Sequence, residues 1–313
     1  MSQALKVGIT AWTSREGWRA DVLCRQAQDL ESRGFHSLWL PENHFGDARS
    51  LPSPLTLLAA AAAGTERIHL ATTSYLLPIR HPLQAAGEVA VLDQLSNGRV
   101  ILGVGRGIQD SVFRAFELDP RDKRKRFQAN LEVMRNAWRG DPVLDGEGGD
   151  PVRLAPLPLQ RPHPPIWVAA FGPLALRQAG SLGLPYLASP VESLGALEHN
   201  YKAYRLALDE AGLPPVTTVP VMRNVFITED RSLARDVGEA MQRVVPRAMR
   251  ERAGNLEDWA IVGDRHYAMD RLGEYAERLG MTHIVARGGI SRVPEAEQQR
   301  SHDHLLELAA QLS

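Results

Sequence analysis

The chain has 313 residues, 44% of them hydrophobic and 23% charged, with a formal net charge of -1 at pH 7. That balance describes an ordinary globular protein, with no basic surplus for nucleic acid and no long charge block. One cysteine, Cys24, excludes an internal disulfide framework and a thiolate metal cluster, and its place in an amphipathic helical pattern reads as core filling.

The chain opens almost at once on an apolar run, Lys6 to Ala11, which leaves no room for a signal peptide. The longest apolar run, around Leu57 to Ala63, is too short to span a bilayer, so we expect a cytoplasmic protein that binds no membrane. Leu23, Ala27 and Leu30 then repeat at helical spacing up to Gly34, which suits a left-handed helix end. Further apolar runs predict strands at Ser37 to Leu40, Ile68 to Thr72, Val100 to Val104, Ile166 to Ala169, Tyr186 to Ala188, Val219 to Ile227 and His283 to Ala286. Each is followed by a helical pattern, such as Pro82 to Leu95, Lys123 to Trp138 and Tyr267 to Leu279. Eight strand–helix units predict a parallel sheet closed into a single (β/α)8 TIM barrel over residues 1–313, because closure removes both sheet edges. The Gly/Pro-rich stretch 140–165 reads as an insertion, with room for a hairpin, and 250–265 is a weakly patterned polar stretch.

In such a barrel, chemistry sits where strands end and loops begin. Four ends stand out. After the second strand comes Pro41-Glu42-Asn43-His44-Phe45, where His44 reads as a general base or as a buried, hydrogen-bonded histidine. After the third comes Thr72-Thr73-Ser74-Tyr75, small hydroxyl residues that leave room for a flat ligand. The His81-Pro82 pair further on reads as a helix start. After the fourth comes Gly103-Val104-Gly105-Arg106-Gly107, where glycines permit close backbone approach and Arg106 suits a phosphate. Its G-x-G-x-G spacing is not the dinucleotide fingerprint. The basic run Arg121 to Arg126 reads either as a solvated helix start or as an anion site. After the fifth comes Ala170-Phe171-Gly172-Pro173, a turn into a helix whose N-terminus could hold a phosphate or simply reverse the chain. No metal-binding motif and no nucleophile elbow is present.

Together these segments resemble the bacterial luciferase-like flavin-dependent monooxygenases, from Val7 to about Leu312. The most specific stretch runs from His81-Pro82 through Leu92-Asp93-Gln94-Leu95-Ser96-Asn97-Gly98-Arg99 to Leu102-Gly103-Val104-Gly105-Arg106-Gly107. The resemblance implies an enzyme that takes reduced FMN from a separate flavin reductase and, with O2 and through a C4a-peroxyflavin, oxygenates a small organic substrate. Some branches use the deazaflavin F420 for hydride transfer instead, and a non-catalytic flavin-binding protein is the third reading. By position, Arg106 and Arg124 would bind the phosphate, with Arg126 replacing Arg124 if the helix register slips. Ala170, Phe171 and Gly172 would touch the phosphate through their backbone. Thr73-Ser74 would form a non-prolyl cis peptide under the flavin ring. His44 and Asn43 would stand at the catalytic position, the stretch 250–265 would be a mobile lid that excludes water, and the chain would be a homodimer. Two positions depart from the family pattern: Asn43 replaces the first histidine of a His-His pair, and Phe171 replaces a phosphate-binding serine.

Overall fold

The computed structural model describes residues 4–13, 17–146, 149–245, 254–290 and 293–312. The chain divides into two compact units. Unit 1 comprises Met1–Trp12, Ser32–Ser37 and Val168–Ser313, and unit 2 comprises Thr13–Glu31 and Leu38–Trp167.

Twelve strands occur among the described residues, in the order β1 (Lys6–Thr10), β2 (Ser37–Leu40), β3 (His69–Thr72), β4 (Tyr75–Leu76), β5 (Val100–Gly105), β6 (Leu144–Asp145), β7 (Pro151–Val152), β8 (Ile166–Ala169), β9 (Tyr186–Leu187), β10 (Pro220–Ile227), β11 (Ala260–Gly263) and β12 (His283–Arg287). All eight expected strands are among them. β2 and β5 are buried along their whole length, which is why they read as unbroken apolar runs and not as alternating ones.

In unit 2, β5 pairs in parallel with β3 (Leu70 opposite Val100) and with β4 (Tyr75 opposite Val104, Leu76 opposite Gly105). The Thr73 N–H donates to the Leu40 carbonyl, which joins the end of β3 to the end of β2. Helix Pro82–Leu95 follows β4, and helix Lys123–Arg139 follows β5 after a short helix, Asp110–Ala115, that periodicity did not reveal. The 140–165 insertion does carry a hairpin: β6 and β7 pair antiparallel.

In unit 1, β12 lies between β1 (Lys6 opposite His283) and the first half of β10 (Pro220 opposite His283), both parallel. The second half of β10 pairs with β11, from Asn224 opposite Ala260 to Ile227 opposite Gly263. β8 pairs with β9, again in parallel. Polar capping sets the helix starts. Asp230 accepts from the N–H groups of Ser232 and Leu233 ahead of helix Arg231–Val244, and Asp264 accepts from Tyr267 ahead of helix Arg265–Leu279.

β11 falls within the stretch 250–265 that was expected as a lid. Residues 250–253 lie outside the described residues. The rest forms a short helix, Leu256–Trp259, and then β11, with Trp259 and Ile261 buried in the core. The acidic pair Glu257-Asp258 between Leu256 and Trp259 masked the apolar spacing in the sequence.

Candidate active site

In unit 2 the C-terminal ends of β2 and β4 are joined by one carboxylate. The Glu42 side chain is fully shielded from solvent and takes three donors. His44 Nε2 lies 2.5 Å from its Oε1, Arg80 Nη1 donates to the same oxygen at 2.8 Å, and the Leu76 N–H donates to Oε2 at 2.9 Å. Arg80 also donates to the Leu76 carbonyl, and its guanidinium lies over the Tyr75 ring, 3.7 Å from the centroid. The Tyr75 hydroxyl in turn donates to Glu88. Burial, only partly opposed by the Arg80 charge, pushes the Tyr75 phenol well above its ordinary pKa. A buried anion with three donors is a rigid support for the imidazole it holds.

His44 itself is one-tenth exposed, with Phe116 meeting it edge-on at 5.0 Å. Its Nδ1 makes no hydrogen bond among the described residues. Asn43 is placed differently. Its Oδ1 accepts from the Leu51 N–H at 2.7 Å, and its own N–H donates to the Leu51 carbonyl, so the residue closes the 43–51 loop.

The Thr73–Ser74 peptide is cis, at the position the resemblance implied. Gly103, one step along β5, lacks a Cβ for a reason other than ligand approach. A Cβ there would lie 1.9 Å from the Thr72 carbonyl oxygen, and Thr72 Oγ1 donates back to the Gly103 carbonyl. That glycine serves strand packing.

Arg106 follows Gly105 directly. Its side chain has no hydrogen bond or ion pair among the described residues. Burial first, and then the like charge of Arg124, hold its guanidinium below the ordinary arginine pKa. The structure thus brings together two cations that the sequence holds 18 positions apart. Arg126, the substitute in a shifted register, is already engaged, because its Nε donates to the Pro78 carbonyl.

The remaining expected cofactor residues, Ala170, Phe171 and Gly172, lie in unit 1 after β8. Ala170 is buried, and Gly172, at φ +85°, opens helix Pro173–Ser181 with nothing within 4 Å of a Cβ position. This left-handed backbone with open space around it suits glycine alone and leaves the helix N-terminus approachable.

The sequence reading gave no role to Glu42, although it quoted it within the strand-end motif, nor to Arg80. The Glu42–His44 spacing of two at a strand end was a usable signal. Arg80, 38 residues on, gave none. Among the described residues there is no metal-binding cluster, and no helix is long and apolar enough to cross a membrane.

With this geometry in view, comparison with known proteins is informative. The model of the luciferase-like monooxygenase family matches residues 4–286. The oxygenase component of a flavin-dependent trigonelline monooxygenase from Acinetobacter baylyi is 32% identical over 157 residues, covering 49% of this chain and 44% of that protein. The chain spans about half the length of the curated relatives it matches. Among solved structures, monooxygenase RslO1 from Streptomyces bottropensis is 27% identical, with a TM-score of 0.82 over 98% of this chain and 99% of the other. The oxygenating constituent of 3,6-diketocamphane monooxygenase from Pseudomonas putida, solved with FMN, is 21% identical, with a TM-score of 0.84 over 99% of each chain. These likenesses establish the fold class, α/β of the luciferase-like barrel type.

Proposed function

The chain belongs to the luciferase-like monooxygenase family, and from that premise we propose that it is the oxygenase of a two-component system. It takes reduced FMN from a separate flavin reductase and oxygenates a small organic substrate with O2, working as a homodimer. The observation that carries this reading is the arginine pair at the end of β5. Arg106 is partly desolvated beside the like charge of Arg124 and has no carboxylate partner among the described residues. A phosphate monoester brings a negative charge to Arg106 and carries acceptors that Arg106 and Arg124 can share. The open turn at Gly172 and the helix N-terminus behind it add backbone donors of the kind that bind phosphate. Phe171 supplies no side-chain donor, so the arginines bear most of the phosphate affinity.

Bound reduced flavin supplies the electron pair that activates O2. The chain positions and moves protons. With Nε2 donating to the Glu42 carboxylate, the imidazole of His44 presents Nδ1 as its acceptor, and we assign it proton removal at the substrate. Asn43 has its carbonyl engaged by Leu51, which leaves the amide N–H groups to donate to a ligand. Thr73 and Ser74 are assigned to the edge and face of the flavin ring.

The test has two arms. Anaerobic titration with FMN and with F420 is expected to show FMN binding that Arg106→Ala or Arg124→Ala weakens at least tenfold. Turnover under labelled O2, with a flavin reductase and a panel of aldehydes, ketones and sulfonates, is expected to place one labelled oxygen in a product. Tight F420 binding with negligible FMN binding would overturn the reading. So would peroxide release as the only activity, the behaviour of a non-catalytic flavin-binding protein. Size-exclusion chromatography with light scattering tests the dimer, which a monomeric mass would rule out.

A further inference from the structure

Unit 1 has a cavity of about 380 Å3 that is open to solvent, a size that suits a small organic molecule. It lies among residues that end or follow strands: Ser189 after β9, Arg287 closing β12, and Gly289 and Ile290 beyond it. Val191, Met241, Trp259 and Ile290 give it an apolar wall. Arg287 is the one charged residue among the described lining residues, and Asn224 adds an amide.

Both polar groups are open. Asn224 is 6% exposed, and its side chain has no hydrogen bond among the described residues. Arg287 is exposed as a residue, unlike the rest of β12; it has neither a hydrogen bond nor an ion pair among the described residues, and partial desolvation holds its guanidinium below the ordinary arginine pKa. The chain's structural arginines contrast sharply with it. Arg223, fully buried in the same unit, donates to the Tyr275 hydroxyl and to the carbonyls of Ser189, Met222 and Glu192. Arg99, in unit 2, donates to the Thr65 hydroxyl and to the carbonyls of Ser96, Ile68, Ala62 and Thr65. Where this chain encloses a guanidinium for packing, it supplies acceptors. Arg287 is not enclosed: it is exposed and lines the cavity.

We propose that this cavity is the substrate subsite and that it takes a small organic acid, its apolar body against Trp259 and Met241 and its carboxylate on Arg287. A planar carboxylate matches the guanidinium fork with two parallel hydrogen bonds, and the apolar walls strengthen that pairing by excluding water. A neutral molecule of the same shape leaves the guanidinium unpaired and is discriminated against on that account. As an assignment of the substrate class, the inference rests on the monooxygenase reading; as a binding preference, it can be tested without any cofactor.

The test is isothermal titration of cofactor-free protein with two matched pairs, octanoate against 1-octanol and benzoate against benzyl alcohol. Wild type is expected to bind each acid at least tenfold more tightly than its alcohol. Arg287→Met should bring each ratio to within threefold while alcohol binding persists, and Arg287→Lys should retain part of the preference. Equal binding of acid and alcohol by wild type, absence of acid binding, or a preference that survives in Arg287→Met would each overturn the proposal. The FMN phosphate is the other anion to consider. If Arg287→Met loses FMN affinity tenfold, the arginine belongs to the cofactor and the inference fails. A failed oxygenation assay alongside an intact acid preference would sink the monooxygenase reading and leave the cavity's preference standing.

Discussion

At the scale of single residues, Glu42 carries more of the proposed chemistry than its silence in the sequence suggests. It holds His44 and Arg80 on one oxygen and the Leu76 N–H on the other. Removing the imidazole and weakening its support should therefore differ in size. His44→Ala is expected to lower kcat by about 10²- to 10⁴-fold, the usual worth of a positioned general base. Glu42→Gln retains an acceptor but removes the charge, so its loss in kcat should be smaller. Neither change touches the arginine pair, so the FMN dissociation constant should stay within about threefold of wild type. Stopped-flow turnover and a flavin titration on the same variants check both statements. An unchanged kcat in His44→Ala would remove the histidine from the mechanism. Glu42→Ala is a different experiment. It strands Arg80 and a backbone N–H in a site closed to water, and should cost about 3–5 kcal/mol of stability in urea denaturation.

At the scale of elements, one side chain ties a helix to the start of a strand. Glu31, near the end of helix Ala20–Arg33, accepts from the backbone N–H groups of Glu66, Arg67 and Ile68, just ahead of β3. Desolvation pushes its pKa up, but the three backbone donors outweigh that and leave it below the ordinary 4.5. A carboxylate depressed in the folded state contributes stability that is fully present above its unfolded pKa and lost as pH falls through the folded value. Glu31→Gln should cost about 1 kcal/mol near neutral pH, because solvent screens part of the interaction. The gap between wild type and variant should close as pH falls from about 5 toward 3. Urea midpoints across that range measure it, and a gap that widened in acid would contradict the sign. Arg99 binds elements together on a larger scale. It satisfies the carbonyl of Ala62 in helix Pro54–Ala63, the 65–68 segment and Ser96 at the end of helix Pro82–Leu95. Arg99→Met leaves those acceptors unpaired in the interior, and about 3 kcal/mol of destabilisation is expected in the same assay.

At the scale of the whole molecule, what could be read from the sequence follows from which forces are local. The eight expected strands were legible because buried parallel strands are continuous apolar runs, and Pro82–Leu95 because Pro and Asn97-Gly98 bracket it. β11 was not, because Glu257 and Asp258 interrupt the apolar spacing just before it, and the two-residue β4 is below what periodicity can resolve. In the candidate site, Arg106, Arg124 and the Thr73–Ser74 peptide came from motif resemblance. The Glu42–Arg80 pair and the unpaired state of Arg287 depend on distant segments meeting, which no local pattern encodes. The arginine pair also has a consequence for global stability. A ligand that binds only the folded chain stabilises it in proportion to the logarithm of its saturation, about 2.7 kcal/mol at a hundred times its dissociation constant. For 313 residues the unfolding entropy is large, so that increment converts to a Tm rise of about 4 °C. FMN at that concentration should produce the shift in wild type, and the Arg106→Ala/Arg124→Ala double variant, compared at the same FMN concentration, should lose most of it. Riboflavin, which lacks the phosphate, should give little shift in either protein. If riboflavin matched FMN in wild type, the ring would dominate binding and the two arginines would have to be serving something else.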